Sequence, residues 1–277
     1  MAGAWQGKVV FMTGGSRGIG QAIALRFARE GACVAIAAKT GEPNARLPGT
    51  VFSVAQQIQA AGGEALPIVC DARDEAQLKA AVEQTVAQWG RIDLLVNNAG
   101  YLGVTPLAET DTKKYDLMHA LNTRAPLITM RESFPHLRAT GGTVLNLCPP
   151  LNMDPGWLGA FIPYTSTKYG MTLLSMGFAQ EVKASGIAVK TLWPATLIAT
   201  AAVGSLTGEQ GLAVARKPDI MADAAWELVN NRQRFSTAVS FLDEEVLAQM
   251  GFSDFSFYAN DAANAGRIQR DFYIGAY

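Results

Sequence analysis

Thr13-Gly14-Gly15-Ser16-Arg17-Gly18-Ile19-Gly20 stands between an apolar run, Lys8 to Met12, and a helix-length segment from about Ile19 to Arg29. A short apolar run followed by helical periodicity predicts a buried strand, then a helix, with the glycines at the turn between them. Glycine permits a sharp turn there and lets the backbone come close to a ligand. The amides and positive end of the helix favour an anion such as phosphate. A lone glycine loop can equally be a structural turn; the strand before it and the helix after it favour binding. Gly14, Ser16, Arg17, Gly18, Ile19 and Gly20 are the candidates for holding the pyrophosphate of a dinucleotide.

Outward from this loop, strand-like and helical segments alternate. Strands are predicted at Cys33 to Ala38, Ala65 to Cys70, Ile92 to Val96, Thr143 to Leu147, Ile187 to Leu192 and Ala238 to Leu242. Helices are predicted at Val51 to Ala61, Glu75 to Trp89, Thr112 to Arg138, Tyr164 to Lys183 and Ile220 to Val229. The pattern predicts an α/β fold, a Rossmann-type doubly wound parallel sheet of about seven strands with helices on both faces. No repeat or charge block divides the chain, so a single domain over 1–277 is expected. A less regular region, about 195–217, reads as a substrate lid, and 251–277 as an aromatic tail. The tail could wrap a neighbouring subunit or cover the cleft, with packing on its own domain the default.

Composition narrows the function classes. A net charge of -1 over 277 residues implies no long-range attraction to nucleic acid or anionic membrane. No apolar stretch is long enough to span a bilayer, and the N-terminus lacks a secretory pattern. Cys33, Cys70 and Cys148 are far apart, which suits reduced thiols, and a cytoplasmic location is expected. His119 and His136 have no carboxylate cluster near them, so no metal site is expected.

A second motif supplies chemistry. Tyr164 and Lys168 are four residues apart in a helical segment and so share a face. A free tyrosine, with a pKa of about 10, is a poor base at neutral pH. A neighbouring ammonium favours the phenolate, which makes the phenol a usable general acid or base. A dinucleotide loop followed by such a pair describes hydride movement between a nicotinamide and a carbonyl or alcohol.

Together these motifs resemble the short-chain dehydrogenase/reductase family, over nearly the whole chain: Thr13 to Gly20, Asp71, Asn97-Asn98-Ala99-Gly100, Asn122, and Tyr164 to Lys168. Ala37-Ala38-Lys39-Thr40, Asn146 to Asn152 and Lys168-Tyr169-Gly170-Met171 are similar to the dehydrogenase part of hydroxysteroid dehydrogenase-like proteins of the sterol-carrier-fused type. No carrier domain is expected to follow in this chain. The resemblance implies that Asp71 contacts adenine and that Asn98, Ala99 and Gly100 line the cofactor cleft. It also implies that Lys168 bonds the nicotinamide ribose, that Asn122 holds a water relaying protons to Lys168, and that the protein is a homodimer or homotetramer. Asp71 as a cap for the helix after strand three remains an alternative.

The chain departs from the family pattern at two places. Where a serine usually bonds the substrate oxygen, Cys148-Pro149-Pro150-Leu151-Asn152 occurs. Proline offers no N–H and a thiol is a weak donor. Asn152 is the candidate replacement; the competing view is that nothing replaces the serine. The usual Pro-Gly after strand six is Pro194-Ala195, leaving Thr196 or Thr200 to meet the nicotinamide carboxamide.

Cofactor choice follows from charge. A carboxylate at the end of strand two would favour NAD; here Ala38-Lys39 occupies that place and Arg17 lies in the loop. Two cations favour the extra phosphate, so NADP(H) is expected, unless both are merely solvated surface charges. Met153, Trp157, Leu158, Phe161, Ile162, Leu197, Val203, Leu206 and Leu212 lie in the segments expected to border the substrate, which suits a lipophilic carbonyl or alcohol. The same side chains could equally belong to the core or a subunit contact. An alternative from another class is a dinucleotide-binding sensor or scaffold with little turnover.

Overall fold

Val9–Thr13 (β1) and Cys33–Ala38 (β2) are buried at every position, so neither strand has a polar face. Such strands require a layer of helices on each side. A computed structural model, describing residues 3–44, 47–159 and 161–271, supplies both layers. The remaining strands are Glu64–Val69 (β3), Leu94–Asn97 (β4), Thr143–Asn146 (β5), Ala188–Trp193 (β6) and Ser240–Leu242 (β7). They form one seven-stranded sheet in the order β3-β2-β1-β4-β5-β6-β7, with every pairing parallel.

The helices are Gly18–Ala28 (α1), Val51–Ala60 (α2), Glu75–Trp89 (α3), Thr112–His119 (α4), Ala125–Thr140 (α5), the turn Pro155–Leu158 (α6), Ile162–Glu181 (α7), Ala201–Ala213 (α8), Asp219–Asn230 (α9) and Asp243–Gln249 (α10). Alternation along β1 sends Val10 and Met12 to one face, where they meet Ile23 and Phe27 of α1, Val54 of α2 and Leu228 of α9. Phe11 goes to the other face with Leu78 of α3 and Ile128 of α5. Full burial of each such side chain stabilises the fold by about 1.5–3 kcal/mol. The chain adds β2 and β3 on one side of β1, then β4 on the other. The C-terminal ends of β1 and β4 therefore flank a crevice at the reversal of strand order, where ligands of open α/β sheets bind.

Two segments differ from the sequence reading. The helical stretch expected over Thr112 to Arg138 is broken by a π turn, Ala120–Arg124, and ends at Thr140. The region expected to be irregular, 195–217, contains α8, capped by the Thr200 hydroxyl and kinked at Gly208 (φ 63°). Its glycines and small residues hide the helical periodicity.

The tail packs on its own chain over 255–271. Tyr258 is buried, and its hydroxyl donates to Asp223 at 2.7 Å. Phe252 and Phe257 are exposed, while Phe255 packs against the core. The last part runs back across the segment after β6: Leu197 N donates to Gln269 O (3.0 Å) and Asp271 N to Ala195 O (3.1 Å). Phe272, Tyr273 and Tyr277 lie outside the described residues, as does the side chain of Trp157.

Candidate active site

Gly14 and Gly18 adopt left-handed backbone, with φ of 74° and 57°. Space is as restrictive as conformation. A Cβ on Gly14 would lie 2.7 Å from the Ala99 backbone, and one on Gly20 would lie 2.5 Å from Asn98 Nδ2. The Asn98 amide donates to Gly14 O at 2.8 Å, which ties the glycine loop to the end of β4. Ala99 N donates to Thr13 Oγ1 at 3.3 Å across the same seam. Glycine is therefore required here partly so that two pieces of protein can touch.

The start of α1 is prepared for an anion. Side-chain oxygens of Thr50, Asp74 and Asp111 cap α2, α3 and α4. The N-cap of α1 is Arg17, which makes no side-chain capping bond, and its first turn carries no acid. Its first amides thus keep their capacity for an external acceptor beside a cation. Ser16 is buried in the loop and Ile19 is half-buried against the core.

Arg17 also organises the loop after β2. Its guanidinium donates to Thr40 Oγ1 (3.0 Å), Gly49 O (3.0 Å) and Pro48 O (3.2 Å), all uncharged acceptors. Its charge is therefore not neutralised by these partners. Lys39, mostly exposed, approaches Asp71 Oδ2 at 3.5 Å. Arg73 holds both Asp71 oxygens in a fork (Nε at 2.9 and 3.0 Å), and these hydrogen bonds keep the Asp71 carboxyl well below the ordinary carboxylate range. Asp74, not Asp71, caps α3.

Asn122 is fully buried in the π turn. Its Oδ1 accepts from Tyr101 N (2.9 Å), and its Nδ2 donates to Tyr101 O and to Thr167 Oγ1 (both 3.0 Å). Both amide hydrogens are thus committed to protein. A Cβ on Gly100 would lie 2.9 Å from Asn122 Oδ1 and 3.5 Å from Lys168 Nζ, so three of the expected site residues meet at this point.

Tyr164 and Lys168 both lie on α7 and are 4% and 5% exposed. Tyr164 packs with Met118, Tyr169 and Trp193. Lys168 Nζ donates to Leu147 O at 2.9 Å and lies 5.4 Å from the centre of the Trp193 ring. Burial lowers the Lys168 ammonium to about 8. It therefore remains charged by roughly ten to one at pH 7.

The segment replacing the usual serine is pinned to α7. Thr172 Oγ1 donates to Pro149 O (2.8 Å), and the Tyr169 hydroxyl both accepts from Asn152 N and donates to Asn152 O (2.9 Å each). Asn152 Oδ1 accepts from Asp154 N at 3.0 Å. Cys148 is fully buried, and desolvation pushes its thiol up to about 11, so it stays protonated. Of the expected substrate-side residues, Met153 and Leu206 are exposed, Leu158 packs by Tyr164, and Leu197 is buried.

Thr196 is buried, and its hydroxyl has no hydrogen-bond partner within the protein. Thr200 instead uses its hydroxyl to cap α8 and sets its methyl against Gly18. An orphaned hydroxyl, an uncapped helix end and two left-handed glycines fit a dinucleotide with a carboxamide at one end. Among the described residues, no group of His, Cys, Asp or Glu could hold a metal ion. None of the described helices is long and apolar enough to cross a membrane.

Sequence reasoning quoted Thr13 and Tyr169 within motifs but gave them no role, and it missed Thr167 and Trp193. All four hold neighbours in place, and such contacts between distant segments have no local signature. It also missed a buried polar chain in which Thr129 Oγ1 donates to Asn97 Oδ1 (2.6 Å), Asn97 Nδ2 to Asn146 Oδ1 (2.8 Å) and Asn146 Nδ2 to Ser175 Oγ (2.7 Å).

Comparison with known proteins agrees with this geometry. The family profile described as short chain dehydrogenase matches residues 8–211. Hydroxysteroid dehydrogenase-like protein 2 of Xenopus laevis is 47% identical over 254 residues, 91% of this chain and 60% of that protein. The chain thus spans less than two thirds of that relative's length. A solved short chain dehydrogenase of Mycobacterium thermoresistibile has a TM-score of 0.90 at 41% identity, covering 98% of this chain and 96% of that one. A metagenomic short-chain oxidoreductase solved in complex with NADP has a TM-score of 0.70 at 29% identity, covering 86% and 97%. The match runs from β1 into α8 and contains the glycine loop and the Tyr164–Lys168 pair: the chain belongs to the short-chain dehydrogenase/reductase family.

Proposed function

We propose that this protein is an oxidoreductase that moves a hydride between the nicotinamide of NADP(H) and a lipophilic carbonyl or alcohol. The observation that carries this reading is the meeting of Gly100, Asn122 and a buried Lys168, one helical turn from Tyr164, beside the glycine loop. A nicotinamide dinucleotide is supported by the uncapped start of α1 and the orphaned Thr196 hydroxyl. The choice of NADP over NAD rests on Arg17 and Lys39 alone, since similar solved structures hold NADP in one case and NAD in others.

When bound, the nicotinamide supplies or accepts the hydride. Every other task falls to the chain. Tyr164 gives its proton to the oxygen of a carbonyl undergoing reduction, or takes one from an alcohol. The Lys168 ammonium stabilises the phenolate that remains. Asn122 shapes the wall beside Lys168; with both amide hydrogens committed, a water relaying protons to Lys168 would have to donate to its Oδ1 or its backbone carbonyl. The Asn152 amide is the donor offered to the substrate oxygen in place of serine, and 195–217 acts as the lid.

Incubating the protein with NADPH and a panel of hydrophobic ketones and aldehydes, while following absorbance at the nicotinamide band, tests this. Turnover abolished in Tyr164→Phe supports the enzyme. A second reading, a dinucleotide-binding sensor with negligible turnover, is favoured by one observation: Cys148 is a buried, protonated thiol followed by two prolines. Tight NADPH binding without turnover across the panel would select it.

A further inference from the structure

The Trp193 ring lies between the two halves of the site and the tail. Its indole N–H donates to Asp271 Oδ1 at 2.7 Å. Its ring centre is 5.4 Å from Lys168 Nζ, and its side chain packs against the cluster of Met118, Tyr164 and Tyr169. Asp271 grips the same place twice, because its own N–H donates to Ala195 O at 3.1 Å. A carboxylate accepting from an indole N–H draws positive charge to that edge and leaves the ring face more negative. A negative face is what an ammonium stripped of water needs.

We infer that Trp193, locked by Asp271, is a positioning residue that holds the Lys168 ammonium in place beside Tyr164, so that Asp271 of the tail influences proton transfer. The inference rests on the role proposed for Tyr164 and Lys168 and adds a control on it. Burial disfavours the charge at Lys168 and the neighbouring Cys148 favours it; the Trp193 ring face, 5.4 Å from Nζ, adds a second favourable contact. Leu147 O supplies a directional acceptor, which fixes the ammonium over the ring. Removing the face leaves burial opposed only by Cys148 and the Leu147 carbonyl. Lys168 then loses its proton more readily and supports the phenolate less, so oxidation of an alcohol needs a higher pH. Neutralising Asp271 acts in the same direction but more weakly, because the ring stays.

The test compares the wild-type protein with Trp193→Leu, Trp193→Phe and Asp271→Asn. The Lys168 titration is followed in protein carrying 13C-labelled lysine, with its signal assigned by its loss in Lys168→Met. This readout needs neither cofactor nor turnover. The expected midpoint falls by about half to one pH unit in Trp193→Leu, and by less in Trp193→Phe and Asp271→Asn. In parallel, the acid limb of kcat/KM for alcohol oxidation moves up by a similar amount, while the Kd for NADPH stays within twofold. If Trp193→Leu does not fold, the two conservative variants carry the test alone. Midpoints in Trp193→Phe and Asp271→Asn that coincide with wild type overturn the inference, even where kcat has fallen. If instead Lys168→Met and Tyr164→Phe turn over at the wild-type rate, the proposed function fails first and takes the inference with it.

Discussion

The carboxylate of Asp243 accepts the backbone N–H of Ala195 at 2.8 Å, directly beneath the segment that carries Thr196. Asp243 is fully buried at the start of α10, and its second oxygen has no hydrogen-bond partner in the protein. Desolvation pushes this acid up to about 7, despite the two backbone N–H groups that favour its charged form.

The folded protein therefore binds a proton at Asp243 between the ordinary aspartate range and about pH 7, where the unfolded chain has released it. Stability falls as pH rises across that interval, by about 1.4 kcal/mol per pH unit from this group. Asp243→Asn should flatten this slope while keeping one acceptor for Ala195 N. Denaturant unfolding at several pH values between 4.5 and 8 checks it; equal slopes in both proteins would count against the assignment.

Gly14→Ala should be among the most damaging changes of a single methyl. A left-handed backbone costs about 1–2 kcal/mol in a non-glycine residue. The new Cβ would also strike Ala99, so the total exceeds that figure. The expected result is a lowered Tm together with lost NADPH binding, read by thermal unfolding and by quenching of tryptophan fluorescence.

Tyr164→Phe removes the proton donor but keeps the ring that packs with Met118 and Tyr169. The expected loss in kcat is about 10²–10⁴-fold with unchanged affinity for the cofactor. Single-turnover kinetics and equilibrium titration separate the two quantities.

Lys39→Glu tests cofactor choice without disturbing the loop that Arg17 holds together. Lys39 is mostly exposed and pairs loosely with Asp71, which Arg73 also holds, so the fold should tolerate the change. Binding of NADPH should weaken about 10–100-fold relative to NADH, the range expected when a charge-assisted hydrogen bond is lost. A ratio that stays put would show that Lys39 does not meet the ribose phosphate.

Asn152→Ala addresses the missing serine. If its amide bonds the developing oxyanion, kcat should fall about 10²–10³-fold. Because the Asn152 backbone is held by the Tyr169 hydroxyl, the segment should keep its path in the variant. Unchanged turnover on the true substrate would mean that Asn152 is not the donor.

Much of this was legible in the residues. The strand–glycine–helix order placed the loop, and burial of β1 and β2 followed from their unbroken apolar runs. Tyr164 and Lys168 were legible because a spacing of four residues on a helix is a geometric statement in itself. Three things were not. The π turn at Asn122 depends on a partner, Tyr101, that belongs to the segment after β4. Helix α8 is encoded by small residues and one glycine kink, which carry almost no periodic signal. The roles of Trp193 and Asp271 depend on a contact across 78 positions that neither residue announces.

The buried chain Thr129–Asn97–Asn146–Ser175 limits how this scaffold can be redesigned. Each link joins a different pair of elements, α5 to β4, β4 to β5, and β5 to α7. An apolar replacement at any one position strands a donor or acceptor in its neighbour, at about 1–3 kcal/mol. A protein engineer grafting a new substrate preference onto this chain thus has most freedom at exposed positions such as Met153 and Leu206. Between the strands and α7 the four polar residues are exchangeable only as a set.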